Sequence, residues 1–244
     1  MNLTYVVQQL RKQSARVLFN YARKSSGRAL DQLQLKNRDF TVISNDCWGA
    51  EVYKHFDLPF NTPFIGLMLM APCYLEFLTR PRHYAAQPLV FQPASRYDEI
   101  NRIRANWKHT FPIATLGTDE EDGKSIEIQF LHYESEAEAR EKWNRRVSRM
   151  NWDNLFVKFD GSKDFATTEL VHAFDQLPYN RLAFLREEVP GVACAIVVPT
   201  YTTNGALQFE RARQCYDLVG WLNGSSMKSS RSKRLYNQVF FPSN

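Results

Sequence analysis

The sequence predicts an α/β protein: a mostly parallel Rossmann-like sheet flanked by helices and preceded by an amphipathic helix. Three observations carry that prediction. From Phe40 onward, short apolar runs alternate with segments of helix length, the rhythm of an α/β domain. The 244 residues, 44% hydrophobic and 23% charged with no long polar tract, suffice to bury a sizeable core and are too apolar for wholesale disorder. Ahead of Phe40, Leu3, Val6, Val7, Leu10, Val17 and Tyr21 recur roughly on one helical face, with Arg11, Lys12, Arg16 and Lys24 on others.

In chain order, "FTVISN" reads as a strand, "GAEVYKHFDL" as a helix, "PFIGLML" as a strand, "APCYLEFLTRPRHYAA" as a helix and "PLVFQ" as a strand. A polar stretch follows, and then "PIATLG" and "SIEIQFLHY" form a strand pair joined by the acidic loop "TDEEDGK". A helix from Glu136 to Met150 is capped by Ser135, with Glu138 at the capping-box position. The strand "LFVKF", the helix "ATTELVHAFDQL", the strands "RLAFL" and "ACAIVV" and the helix "LQFERARQCYDLVGWL" complete the pattern. Strands at 40–44, 126–131 and 155–159 are expected to share one parallel sheet. The chain divides into a basic helical extension (1–39), an α/β domain (40–223) and a basic, Ser-rich tail (224–244) expected to be mobile.

Cys47, Cys73, Cys194 and Cys215 form no CxxC pair and have no histidine at zinc-ligand spacing, so neither a disulfide framework nor a structural metal is indicated. His55, His83, His109 and His172 show no metal-ligand spacing either. The longest apolar run, "FIGLMLMAP", is too short to span a bilayer, and with reduced thiols the chain reads as cytoplasmic. The net charge of +5 is concentrated in residues 1–39, where eight Lys or Arg face two Asp. Such a helix either lies peripherally on the anionic inner membrane face or docks on its own domain with its charges in water. No element for reading nucleic acid accompanies the basic segments, and neither G-x-G-x-x-G nor a Walker A loop is present. Nucleic-acid, dinucleotide and P-loop chemistry thus lack support, and no cofactor is specified. The run Asp119, Glu120, Glu121, Asp122 reads as a solvated hairpin loop ahead of an ion site, given the Asp122-Gly123 turn signal.

In an open α/β sheet, ligands bind beyond the carboxyl ends of the strands. Cys47, His132 and Asp160 each follow or end a predicted strand, and on parallel strands they would supply a thiol, an imidazole and an orienting carboxylate. A helix starting near Gly49 would aim its N–H groups at Cys47 and favour thiolate. The alternative is that Cys47 is a small residue at a packed turn. In "EKWNRRVSRMNWDN", Ala139, Trp143, Val147 and Met150 keep core spacing, which leaves Arg145, Arg146 and Arg149 as a clamp for phosphate, sulfate or carboxylate. The competing assignment pairs Glu141 with Arg145 and Glu138 with Lys142 on a solvated face.

The S-N-x-C-W-G turn and the H-Y…K-W-N-R-R…R-x-N-W-D-N run, with "FDQLPYNRLAFL", resemble a bacterial domain-of-unknown-function family labelled exopolysaccharide or capsule biosynthesis protein. The resemblance spans about 40–185 and highlights Asn45, Cys47, Gly49, His132, Tyr133, Trp143, Arg145, Arg146, Arg149 and Asn154. The chain departs from the family pattern at Ala50, where a second glycine is usual, and in its longer acidic loop at 118–125. The resemblance implies a role in surface polysaccharide assembly and specifies no reaction; with the α/β frame and the arginine cluster, the expectation is a transferase using a phosphate-bearing or acyl donor, with the strand-end residues Cys47, His132 and Asp160 as catalytic candidates. Asn45, Asp46, Trp48, Tyr133, Arg145, Arg146, Arg149 and Asn154 are the expected contacts for a sugar or sugar phosphate. The alternative is a non-catalytic sugar-phosphate or partner-binding module, with Trp48, Trp143 and Trp152 as stacking faces.

Overall fold

The computed structural model describes residues 3–117 and 125–242, with side chains in the first helix, α1 (Leu3–Gln34), described at residues 13 and 14 and from 17 onward. Four parallel strands, β1 (Thr41–Ser44), β5 (Leu155–Asp160), β6 (Asn180–Leu185) and β7 (Ala195–Val197), form one sheet in the order β1-β5-β6-β7. Because successive strand side chains point to opposite faces, Val42, Phe156, Leu182, Phe184 and Ile196 enter one core and Ile43, Val157, Phe159, Ala183 and Leu185 the other. The first core is closed by α2 (Trp48–Phe56), α8 (Gly205–Ala212) and α9 (Leu218–Leu222). The second is closed by α3 (Ala71–Thr79), α6 (Glu136–Val147) and α7 (Thr168–Asp175). This is the α/β architecture that the alternating pattern predicts.

The strand expected at 126–131 lies elsewhere. β2 (Val90–Gln92), β3 (Ile113–Leu116) and β4 (Ile126–Gln129) make a separate antiparallel sheet. The reason is connection length: the short loop between β3 and β4 suits an antiparallel pair, whereas a parallel partner needs a crossover. That crossover, α6, leads instead to β5. Residues 118–124, with the acidic run, lie outside the described residues.

"PFIGLML" is no ladder strand, yet it stitches the two sheets together. Met68 and Gln129 exchange backbone hydrogen bonds, and Leu69 N–H donates to Asn45 O (3.1 Å). The helix read in "APCYLEFLTRPRHYAA" breaks at Arg80, ahead of Pro81, into α3 and α4 (Pro81–Ala86), because proline disfavours helical backbone in the residue before it. In the polar stretch, α5 (Asp98–Ala105) forms. The last predicted helix divides into α8 and α9, where the Asp217 side chain accepts from Gly220 N–H and restarts the helix.

α1 (Leu3–Gln34) is one 32-residue helix. The tail expected to be mobile forms α10 (Arg231–Phe240), capped by Ser230 and docked on α1. Tyr236 O–H donates to Gly27 O, and Asp31, fully buried, gathers Arg213, His55, Lys233 and Tyr236. Burial pushes the Asp31 carboxyl up, but the His55 hydrogen bond and the Arg213 and Lys233 charges outweigh it and hold the group below its ordinary range.

Candidate functional site

The C-terminal ends of β1 and β5 carry a cluster of charges that the strand pairing brings together, with Ser44 opposite Lys158 in the register. Lys158 is wholly buried, and its Nζ lies 3.0 and 2.9 Å from the two oxygens of Asp46. Asp46 Oδ1 also accepts from Ser44 O–H (2.8 Å) and from Trp48 N–H (3.1 Å) at the start of α2. Lys163 reaches Asp46 Oδ2 at 3.0 Å and Asp160 Oδ2 at 3.7 Å, and donates to Thr203 O. Burial alone would raise the Asp46 carboxyl, but Lys158 and Lys163 hold it far below the usual range, so it stays ionised. Gly205, at the start of α8, permits this closeness: a Cβ there would lie 2.8 Å from Asp46 Cγ and 2.9 Å from Trp48 N.

Asp160 ends β5 fully buried. Its Oδ1 accepts from Tyr201 O–H (2.6 Å), while its backbone N–H donates to Asn45 Oδ1 (2.9 Å). Burial raises its carboxyl, and the two lysines offset that only in part. Asp160 Oδ2 and Asn45 Nδ2 have no hydrogen-bond partner. Beside them, Asp164 and Phe165 are consecutive non-glycine residues in the left-handed region, with φ of 56° and 63°. Such strain persists only where the surroundings enforce it, and it concentrates at functional sites. Burial pushes the Asp164 carboxyl up to about 6, aided by the charges of Asp46 and Asp160 and opposed by Lys163.

Cys47 and His132 meet, with Sγ 3.7 Å from Nε2. They do so by a different route from the one the strands suggested: His132 follows β4 of the second sheet and is held by its N–H donating to Gly66 O. Gly66 sits at φ 72°, and a Cβ there would lie 3.1 Å from His132 Cβ. Asp160 does not complete a triad, since among the described residues no carboxylate bonds the His132 ring and Asp160 is committed to Tyr201, Lys158 and Lys163. The expected thiolate is also corrected. Burial and the adjacent Asp46 push the Cys47 thiol up to about 11, outweighing Lys163 and Lys158. His132 is shifted down by burial and by Lys108, His109 and Lys54, which favours the neutral imidazole.

The arginine clamp does not assemble. Arg145 pairs with Glu141 (3.0 Å), as Lys142 does with Glu138, on an exposed face, and Arg149 is exposed. Arg146 turns inward alone, donating to Tyr133 O–H (2.6 Å) over the Phe60 ring, while Tyr133 O–H donates to Ile65 O. Trp48 packs among Phe184, Phe209 and Trp221, and Trp143 among Phe64 and Phe130, so neither offers a stacking face. Arg82 lies over the Trp152 ring. Asn154 precedes β5 and bonds Asn37 and Asp39 at the opposite edge of the sheet. Lys158, Lys163, Asp164 and Tyr201 were missed by sequence reasoning. The one available signal was Lys158, a cation inside the apolar run "LFVKF".

Fold and site together define an α/β protein with a buried carboxylate–lysine cluster at the carboxyl edge of a parallel sheet. Residues 19–223 match the family described as Domain of unknown function (DUF1919), and the chain belongs to it. It is also similar to a protein of Haemophilus influenzae (strain Rd) described as "Uncharacterized protein", with 32% identity over 191 residues covering 78% of this chain and 80% of that one. No described helix is long and apolar enough to cross a membrane.

Proposed function

We propose that this chain is a transferase of bacterial surface polysaccharide (exopolysaccharide or capsule) biosynthesis, moving a group from a phosphate-bearing or acyl donor onto a sugar hydroxyl at the carboxyl edge of the parallel sheet. One observation carries the reading. Asp160 Oδ2 and Asn45 Nδ2 are buried on residues that bond each other and have no hydrogen-bond partner, Asp160 Oδ2 meeting Lys158 and Lys163 only at ion-pair distances of 3.9 and 3.7 Å, and a sugar hydroxyl would donate to the first and accept from the second. Lys163, Asp164 and Tyr201, each partly exposed, flank this pair. The strained turn at Asp164 and Phe165 yields as the ligand enters. A neighbouring hydroxyl of the sugar so held is the nucleophile: its oxygen bonds to the transferred group, its proton passes to Asp164 or His132, and the donor's phosphate or thiolate leaves with the bonding electrons. Asp164, held near 6, and the neutral His132 suit proton exchange near neutral pH. Acylation of Cys47 fits less well, because its thiol is held protonated.

A specific observation favours a second reading, a non-catalytic sugar-phosphate or partner-binding module. Lys158 and Lys163 are already matched by Asp46, Asp160 and Asp164, so neither is free to steady a transferring phosphoryl group. Mass spectrometry of sugar acceptors incubated with a panel of nucleotide sugars, hexose 1-phosphates and acyl thioesters separates the two. Transfer that is abolished by Asp164→Asn supports the enzyme. Binding without transfer from any donor supports the module.

The same reading brings α1 to the anionic inner face of the membrane. Val17, Leu18, Phe19 and Tyr21 are 62–74% exposed, and Arg11, Lys12, Arg16 and Arg23 share their helix. Apolar insertion and attraction to anionic headgroups both support attachment. Salt-sensitive sedimentation with anionic vesicles, lost on deletion of residues 1–20, is the expected result.

A further inference from the structure

A second concave surface lies on the flank of α1. It is a groove of about 430 Å³ between α1, α2, α8 and the segment after α10. Leu207, Phe209 and Phe241 give it an apolar lining. Arg213 stands in its wall, 1% exposed, with Nη2 on Asp31 and the Phe241 ring 4.6 Å from its guanidinium carbon. Its Nε and Nη1 are buried without a hydrogen-bond partner. The guanidinium charge is met by Asp31 and the Tyr216 hydroxyl lies against it, but N–H donors without a hydrogen bond cost free energy that an anionic ligand would recover.

The rim is basic as well. Among the described residues, Lys24 and Lys54, 37% and 60% exposed, pair with the carboxylates of Glu210 and Glu51. Such screened pairs exchange partners at little cost. Arg28 donates to the carbonyls of Lys54 and His55 that close α2. The groove therefore joins an apolar trough to a cationic end, and Tyr21, one of its lining residues, continues into the exposed apolar stretch of α1.

We infer that this groove binds a single lipid molecule with a phosphate headgroup, the phosphate on Arg213 and Lys24 and the hydrocarbon chain along Leu207 and Phe209. A lipid-borne phosphate is favoured over free phosphate because the trough is apolar and adjoins the face of α1 proposed to meet the bilayer. The inference rests on that membrane reading for the source of its ligand, but not on the sheet-edge site.

Titration of the full-length, 15N-labelled chain with dodecyl phosphate below its micelle concentration tests it, with inorganic phosphate and dodecyl maltoside as comparison probes. Dodecyl phosphate is expected to shift the amides of residues 24–28 and 206–213 and to bind at least about tenfold more tightly than either comparison. Leu207→Asp, at a position 48% exposed where the fold tolerates charge, is expected to weaken it about tenfold. Equal binding of inorganic phosphate, equal binding of dodecyl maltoside, no binding, or indifference to Leu207→Asp would each overturn the inference. Because the probe needs no bilayer, failure here and failure of vesicle attachment are separate outcomes, and shifts confined to residues 160–164 would report on the sheet edge instead.

Discussion

Lys158 Nζ, with no exposure to solvent, lies within 3.0 Å of both carboxylate oxygens of Asp46, and this pair joins the ends of β1 and β5. Removing Asp46 strands the Lys158 charge in the interior, whereas Lys163 still faces Asp46 when Lys158 is removed. Asp46→Asn is therefore expected to destabilise the fold by about 3–5 kcal/mol, and its combination with Lys158→Met to recover much of that loss. Denaturant unfolding of the two single variants and the double variant measures both. Additive losses would mean that the pair is not the coupling element.

Asp164 supplies a pH dependence of definite sign. Its carboxyl is about 6 when folded against an ordinary 3.8, so the folded chain holds this proton more tightly. The stability it contributes is complete below pH 3.8 and lost as pH rises through 6. Asn tolerates the left-handed backbone at this position, so Asp164→Asn should fold and should lack this decline. The difference between wild type and variant is expected to change by about 1.4 kcal/mol between pH 5 and pH 7.5 in unfolding free energy. Parallel pH profiles would show that Asp164 titrates normally.

Thiol chemistry gives a direct reading of Cys47. With its thiol pushed to about 11, and those of Cys194 and Cys215 also raised by burial, alkylation at pH 7.5 should be slow, with Cys47 showing no fast phase. Mass spectrometry of iodoacetamide-treated protein, resolved by residue and pH, checks this. Rapid labelling of Cys47 at neutral pH would restore the thiolate nucleophile.

α1 has two parts with different duties. Its described contacts with the body begin near Lys24 and centre on Gly27 and Asp31, whereas Val17 to Tyr21 is exposed. Deleting residues 1–20 should leave the thermal midpoint within a few degrees of wild type, while deleting residues 1–36 removes Asp31 and should cost far more. Equal losses for the two deletions would mean that the part of α1 before Tyr21 contributes to the stability of the fold.

The parallel sheet was legible because its strands are short apolar runs separated by segments of helix length, one of them with a recognisable cap, Ser135. Pairing was less legible, since the apolar run of β4 looks the same whether its neighbour is β1 or β3. Examining strand ends put Cys47 and His132 together, and they touch, although Gly66 and the 66–70 segment bring this about. Asn154 was misplaced because it precedes its strand, and Trp48 and Trp143 because large aromatic side chains more often fill cores than line ligand sites. Nothing in local sequence announces that Asp164 and Phe165 adopt a left-handed backbone or that Tyr201 folds back onto Asp160.

Asp160 Oδ2 and Asn45 Nδ2, buried without hydrogen-bond partners, are the groups proposed to receive a sugar hydroxyl. Amide-resolved titration with hexose 1-phosphates and nucleotide sugars, in wild type and Asp160→Asn, tests this proposal most directly. Shifts are expected at residues 45–48 and 160–164 in wild type, with binding weakened about tenfold in the variant. Absence of shifts at those residues with every sugar probe, or equal affinity in Asp160→Asn, would contradict it.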